Sequence, residues 1–259
     1  MKKILALLLA LSMALGLAAC SGQDGKESDN SGDSDLAYIQ EKGTLVVGIT
    51  EFEPMDYTDA DGNWIGFDAD MARAFAESLG VEAQFQVIAD WDSKVMELEG
   101  KTVDVVWNGM TLTEDVLTAM ECSNPYFSNG QVVIVPADKA GDYQTEESLA
   151  DLQFAVENGS AGQEELDRLG YSYTPVQDQA TALMEVAAGT SDAAVVDYLM
   201  AAAMTGEGTS YEDLAYTVQL NSEEYGVGFR QGSDLVERLN QFFADSYAGG
   251  TMMELAETY

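Results

Sequence analysis

Three places in the 259-residue chain put chemically able groups where a fold could use them. Asp197 closes an apolar run, Ala193-Ala194-Val195-Val196. A charged residue ending a buried strand needs a partner, because an unpaired buried charge is costly. Glu157-Asn158-Gly159-Ser160-Ala161-Gly162 is a Gly-containing loop after the short strand 154–156 and before a helix pattern at 163–169. The third place is residues 102–126, TVDVVWNGMTLTEDVLTAMECSNPY. It reads as a strand over 103–107, a bend at Asn108-Gly109, and a helix start at Thr111-x-Thr113-Glu114-Asp115. A strand followed by a Gly-containing loop and a helix start is where open α/β sheets place ligands.

Other acids have simpler readings. Asp68 and Asp70 look like a paired-carboxylate site. Capping explains Asp68 better, because the helix that follows carries Met71, Phe75 and Leu79 on one face and ends at Gly80. Asp59-Ala60-Asp61-Gly62-Asn63 has the residue types of a calcium loop. The spacing fails and the terminal Glu is missing, so a hairpin turn is expected, with no metal and no cofactor.

Composition excludes several functions. There are no histidines, so a His triad, a His metal site and a His general base are all impossible. The two cysteines are Cys20 and Cys122. Cys122 reads as a buried apolar residue, since no histidine can activate it. The formal charge of −35 rules out nucleic acid as a natural partner and disfavours anionic membrane surfaces. It suits a secreted protein that must stay soluble, and it attracts cations.

The elements alternate along the chain. Strands are expected at 45–49, 85–88, 103–107, 131–135, 154–156, 173–176, 217–219 and 225–229. Helices fall between them, with two more over 233–247 and 251–259. This alternation predicts an α/β fold. Residues 1–20 read as an export signal: Lys2 and Lys3, then an apolar run too short for a membrane span. Residues 21–35 are almost all small or polar and predict a flexible tether.

Several motifs resemble the bacterial extracellular solute-binding proteins, family 3, which deliver polar amino acids to ABC importers. Gly66-Phe67-Asp68-Ala69-Asp70-Met71 is similar to the family's G-F-D-x-D-[LM]. Asp104, Gly109, Met110, Thr111, Leu112 and Thr113, then Ser123, Pro125 and Tyr126, fit its D-hydrophobic-x-x-x-G-[MI]-T-[IL]-T-x-x-R and F-S-x-P-Y runs. Glu157–Ser160 resembles V-x-x-G-[TS], and Gly189–Asp197 resembles G-x-x-D-A-hydrophobic-x-x-D. Two positions depart: Val116 stands where the family has arginine, and Cys122 where it has Phe. Leu17-Ala18-Ala19-Cys20 resembles a bacterial lipobox, which implies lipidation at Cys20 and leaves no disulfide.

The resemblance implies a type II periplasmic-binding fold. Two lobes with mainly parallel central sheets would be joined by two chain crossings: lobe 1 from 36–129 and 225–259, lobe 2 from 130–224. It implies a monomer, lipid-anchored outside the cytoplasm, that carries a small molecule to an ABC permease. The implied ligand contacts are Glu51, Phe52, Trp91, Gly109, Thr111, Glu157, Ser160, Ala161 and Asp197. Gly109, Thr111 and Asp197 would take an ammonium, Trp91 and Phe52 would clamp the ligand, and Ser160 and Ala161 N–H groups would hold a carboxylate. The family's arginine grips that carboxylate, so Val116 leaves two options. The helix N-terminus holds it, helped by Lys94, or the ligand is an amine without one, such as a polyamine or quaternary amine. A cationic or zwitterionic ligand is expected. The rival class is an enzyme on the same fold, resembling cyclohexadienyl dehydratase, with Glu157 as its acid.

Overall fold

The computed structural model describes residues 34–259. The export signal, the lipidation at Cys20 and the tether over 21–33 lie outside the described residues. The first helix, Asp35–Lys42, begins where the tether was expected to end. Ser34 caps it by accepting the Ala37 N–H at 3.0 Å. Asp35 accepts from Arg230 Nε at 3.1 Å and Nη2 at 2.8 Å, and Arg230 Nη1 donates to the carbonyls of Leu98 and Val103. Ser34 and Asp35 thus belong to the folded body.

Two sheets form the frame. The first runs in the order Glu82–Val87, Thr44–Ile49, Val105–Thr111, Glu223–Phe229, Glu121–Cys122, with Phe127–Asn129 also paired to Glu223–Phe229. Its first three strands are parallel, and Glu223–Phe229 runs antiparallel to Val105–Thr111. The second runs Ser172–Val176, Gln153–Glu157, Ala193–Asp197, Gln131–Pro136, Leu214–Gln219. Its first three strands are parallel, and Gln131–Pro136 is antiparallel to both its neighbours. Both sheets are therefore mixed rather than mainly parallel. Strands buried on both faces need continuous apolar runs, which is what the sequence supplies at Leu45–Ile49 and Ala193–Val196.

The chain leaves the first sheet at Asn129, enters the second at Gln131, and returns between Gln219 and Glu223. These two crossings define a two-lobed α/β fold. The helix Leu235–Gly249 packs on the first lobe. Its Phe243 ring meets Trp107 edge-on at 5.5 Å, and Phe242 lies 5.4 Å from Phe75.

Two local expectations need correction. The strand does not stop before Asn108-Gly109 but runs on to Thr111. Its pairing with Glu223–Phe229 slips between Gly226 and Gly228, so the irregularity is absorbed within the ladder. Gly109 sits there at φ +55°, and a Cβ on it would meet Phe52 Cε1 at 2.5 Å, so no larger residue fits. The helix start at Thr113 stands: its hydroxyl accepts the Val116 N–H at the head of Glu114–Ala119.

The second correction is Asp68. It does not cap its helix, Phe67–Ser78, whose N-cap is Gly66 with no side-chain bond. Its Oδ2 instead accepts the Gly109 N–H at 2.6 Å and the Tyr126 hydroxyl at 2.7 Å. Burial pushes its pKa up to about 7, against the pull of those two bonds. Asp56, also buried, adds a second carboxyl nearby, and neither of its oxygens has a hydrogen-bond partner among the described residues.

Candidate functional site

The carboxyl ends of strands from both sheets meet at one cavity of about 30 Å³. From the first lobe come Trp91, Lys94, Thr113, Val116 and the end of the Val105–Thr111 strand. From the second come Gln131, Glu157, Gly159, Ser160, Ala161, Glu164, Gln179 and Asp197. Of the residues expected at the site, Trp91, Gly109, Thr111, Glu157, Ser160, Ala161 and Asp197 are brought together here.

Glu51 and Phe52 are not on this wall. Phe52 is fully buried behind Gly109 and meets Tyr225 edge-on at 6.3 Å, so it supports the strand instead of clamping a ligand. Glu51 accepts the Thr58 N–H at 3.1 Å and belongs to its own loop.

Asp197 is the centre of a hydrogen-bond network. Its Oδ1 accepts from Tyr225 at 2.6 Å, from Gln131 Nε2 at 3.1 Å and from Asn129 Nδ2. Its Oδ2 accepts from Gln179 Nε2, and its own N–H donates to Gln179 Oε1 at 2.8 Å. An ionised carboxylate has about four acceptor sites, two on each oxygen, so three donors more than fill Oδ1 while Oδ2, with one, keeps one open. The Asn129 and Gln131 amides also donate to Glu223 Oε1, at 2.8 and 2.9 Å, which ties a second acid to the first. Burial, and then the Glu223 charge, raise the Asp197 pKa well above the ordinary carboxylate range. An added cation would offset both effects.

Trp91 opens a 3-10 turn, Trp91–Ser93, whose cap Asp90 accepts the Asp92 N–H. The helix Lys94–Glu99 follows this turn directly. Lys94 Nζ donates across the cleft to the Gly159 carbonyl at 2.9 Å and to the Trp91 carbonyl at 3.3 Å. It stands 5.1 Å from the Trp91 ring centre. Burial lowers its pKa, and the Glu157 charge opposes that. Glu157 is itself raised well above its usual value, by burial first and then by Asp197. Its Oε1 has no hydrogen-bond partner among the described residues.

On the opposite wall, Ser160 caps the helix Ala161–Leu169 by accepting the Gln163 N–H at 3.2 Å. The N-terminal dipole of that helix therefore faces the cavity through Ser160 and Ala161. A second cavity of about 360 Å³ shares Lys94, Thr113, Val116, Gly159, Ser160 and Glu164 with the first.

Gln131, Gln179, Asn129, Tyr225 and Lys94 were not expected as site residues, apart from Lys94 as a helper. Only Gln179 carried a usable signal: a polar side chain directly after the helix cap Asp178.

Residues 45–259 match the bacterial extracellular solute-binding proteins, family 3. The chain belongs to this family. It is 29% identical over 255 residues to the L-cystine-binding protein TcyJ of Escherichia coli, covering 96% of this chain and 94% of that one. Among solved structures, the P235GK mutant of ArgBP from T. maritima superposes with a TM-score of 0.81 at 31% identity, covering 87% of this chain and 98% of that one. Cyclohexadienyl dehydratase of Pseudomonas aeruginosa is 25% identical over 188 residues, 71% of this chain and 70% of the enzyme. Family members are extracellular binding proteins, which sets the location of this one outside the cytoplasm. No helix among the described residues is long and apolar enough to cross a membrane.

Proposed function

We propose that the protein captures an amino acid in the cleft between its lobes and delivers it to an ABC permease, anchored to the membrane by lipid on Cys20. The observation that carries this reading is the meeting of Asp197 with Trp91, Gly109 and Thr111 around one cavity, from two different lobes. The ligand ammonium docks on Asp197 Oδ2, the Gly109 carbonyl and the Thr111 hydroxyl, a charge-assisted arrangement. Trp91 covers the remainder of the ligand, and the carboxylate lies toward Ser160 and Ala161.

The cavity of about 30 Å³ has room for only a few waters. An amino acid enters by separation of the lobes about the crossings near Gly130 and 220–222, and closure around it follows from tighter binding to the closed state. Calorimetric titration with the twenty standard L-amino acids, L-cystine and polyamines tests the reading. Binding of at least one amino acid below about 10 μM is expected. Failure to bind any of them refutes it.

An enzyme is the second reading, because Glu157 is a buried acid with a free oxygen in the cavity. A raised pKa in a cleft is what a general acid requires. Binding remains the better account, since Glu157 lies beside a lysine and shares its wall with Asp197, as an ammonium site would.

A further inference from the structure

We propose that Lys94 receives the ligand's carboxylate and thereby sets specificity, so that the cleft takes zwitterions and refuses the same amines lacking a carboxylate. The inference rests on the reading of the cleft as an amino-acid site and names the group that selects within it.

Lys94 is the one basic side chain among the described residues that lines the inner cavity, and it lines the adjoining larger cavity as well. It is buried, with 7% of its surface exposed. An ammonium has three N–H donors. Two are engaged by the Gly159 and Trp91 carbonyls, which leaves one. Among the described residues no carboxylate lies within 4.0 Å of Nζ. Its hydrogen-bond partners are neutral carbonyls and the acids that act on it, Glu157, Asp92, Glu164 and Asp90, make no ion pair with it, so an anion brought by the ligand completes its compensation.

Its surroundings favour that anion over any other occupant. Beyond Gly159 begins the helix Ala161–Leu169, whose positive end faces the same cavity as the lysine from the opposite wall. Glu157, the first acid to act on Lys94, is pushed toward its neutral form by burial and so compensates the lysine poorly. The Trp91 face, where a cationic side chain would stack, already carries the Lys94 ammonium. The cleft is therefore polar end to end: Asp197 for an ammonium, Lys94 for a carboxylate.

The test uses the tightest binder among the twenty standard L-amino acids and L-cystine, together with its α-carboxamide. Wild-type protein is expected to bind the free acid at least tenfold more tightly than the amide. Lys94→Met is expected to weaken the free acid by about ten- to a hundredfold, the effect of losing a charge-assisted hydrogen bond, and to weaken the amide by much less, so that the preference for the acid is lost. Lys94→Arg restores part of the preference. Equal binding of acid and amide by the wild type overturns the inference even if Lys94→Met does not fold. So does unchanged acid binding by a folded Lys94→Met. Failure of the wild type to bind any amino acid refutes the reading of the cleft itself.

Discussion

Gly159, in the second lobe, lies so close to Asp92 in the first that a Cβ added to it would stand 2.5 Å from the Asp92 Cα. Its φ of +70° disfavours a side chain as well. Gly159→Ala is therefore expected to hold the lobes apart. Ligand affinity should fall more than tenfold. Stability should fall by only about 1–2 kcal/mol, the cost of a left-handed L-residue. Small-angle scattering should show no compaction at saturating ligand. A compact, tight-binding variant would contradict the contact.

Asp197→Asn removes the charge and keeps the shape. Ligand affinity is expected to fall by a hundredfold or more, since losing one partner of a buried charge pair costs about 2–5 kcal/mol. Binding to the wild type should also release a proton, because the empty site holds Asp197 well above its usual pKa and an ammonium draws it down. Calorimetry in two buffers of different ionisation enthalpy reads that proton, and Asp197→Asn should abolish it.

Asp68 predicts a pH dependence of stability. It titrates at about 7 in the fold, against about 3.9 in an unfolded chain. The folded state holds the proton more tightly, so its contribution is full below about pH 4 and is lost as pH rises through about 7. The loss amounts to roughly 4 kcal/mol. Denaturant unfolding from pH 4 to 8 should show this decline, and Asp68→Asn should flatten it by that amount. An equal slope in both proteins would refute the assignment.

Arg230 ties the first helix to the first lobe through Asp35 and the carbonyls of Leu98 and Val103. Arg230→Met leaves the buried Asp35 uncompensated and should destabilise by about 3–5 kcal/mol. Ligand affinity should not change, because none of these residues lines the cavity. Thermal unfolding and titration on the same sample separate the two effects.

No dehydration of a cyclohexadienyl acid is expected, with Glu157 intact or replaced by Gln. Formation of the aromatic product by the wild type, followed by its ultraviolet absorbance, would favour the enzyme reading instead.

What the sequence made legible was local. Asp197 at the end of an apolar strand, Thr113 as a helix cap and the loop before Ala161 are each defined by neighbours within a few residues. The misreadings concern groups whose partners are far along the chain. Asp68 looks like a cap because its real donors, Gly109 and Tyr126, lie 41 and 58 positions away. Phe52 looks like a clamp because only the three-dimensional pairing puts Gly109 in front of it. The amides of Asn129 and Gln131 follow no periodicity, so their convergence on Asp197 leaves no trace in the pattern.

Three of the four side chains that donate to Asp197 come from the crossing segments themselves: Asn129 and Gln131 flank one, and Tyr225 follows the other, while Gln179 is the fourth. This acid is therefore mounted at the pivot, whereas Gly159 and Asp92 meet at the lips. When one lobe swings against the other, displacement grows with distance from the axis, so the lips part widely while the acid hardly stirs. Under the proposed function, cargo moors by its amine in the gaping molecule, and the swing then brings the far shore down upon its other end.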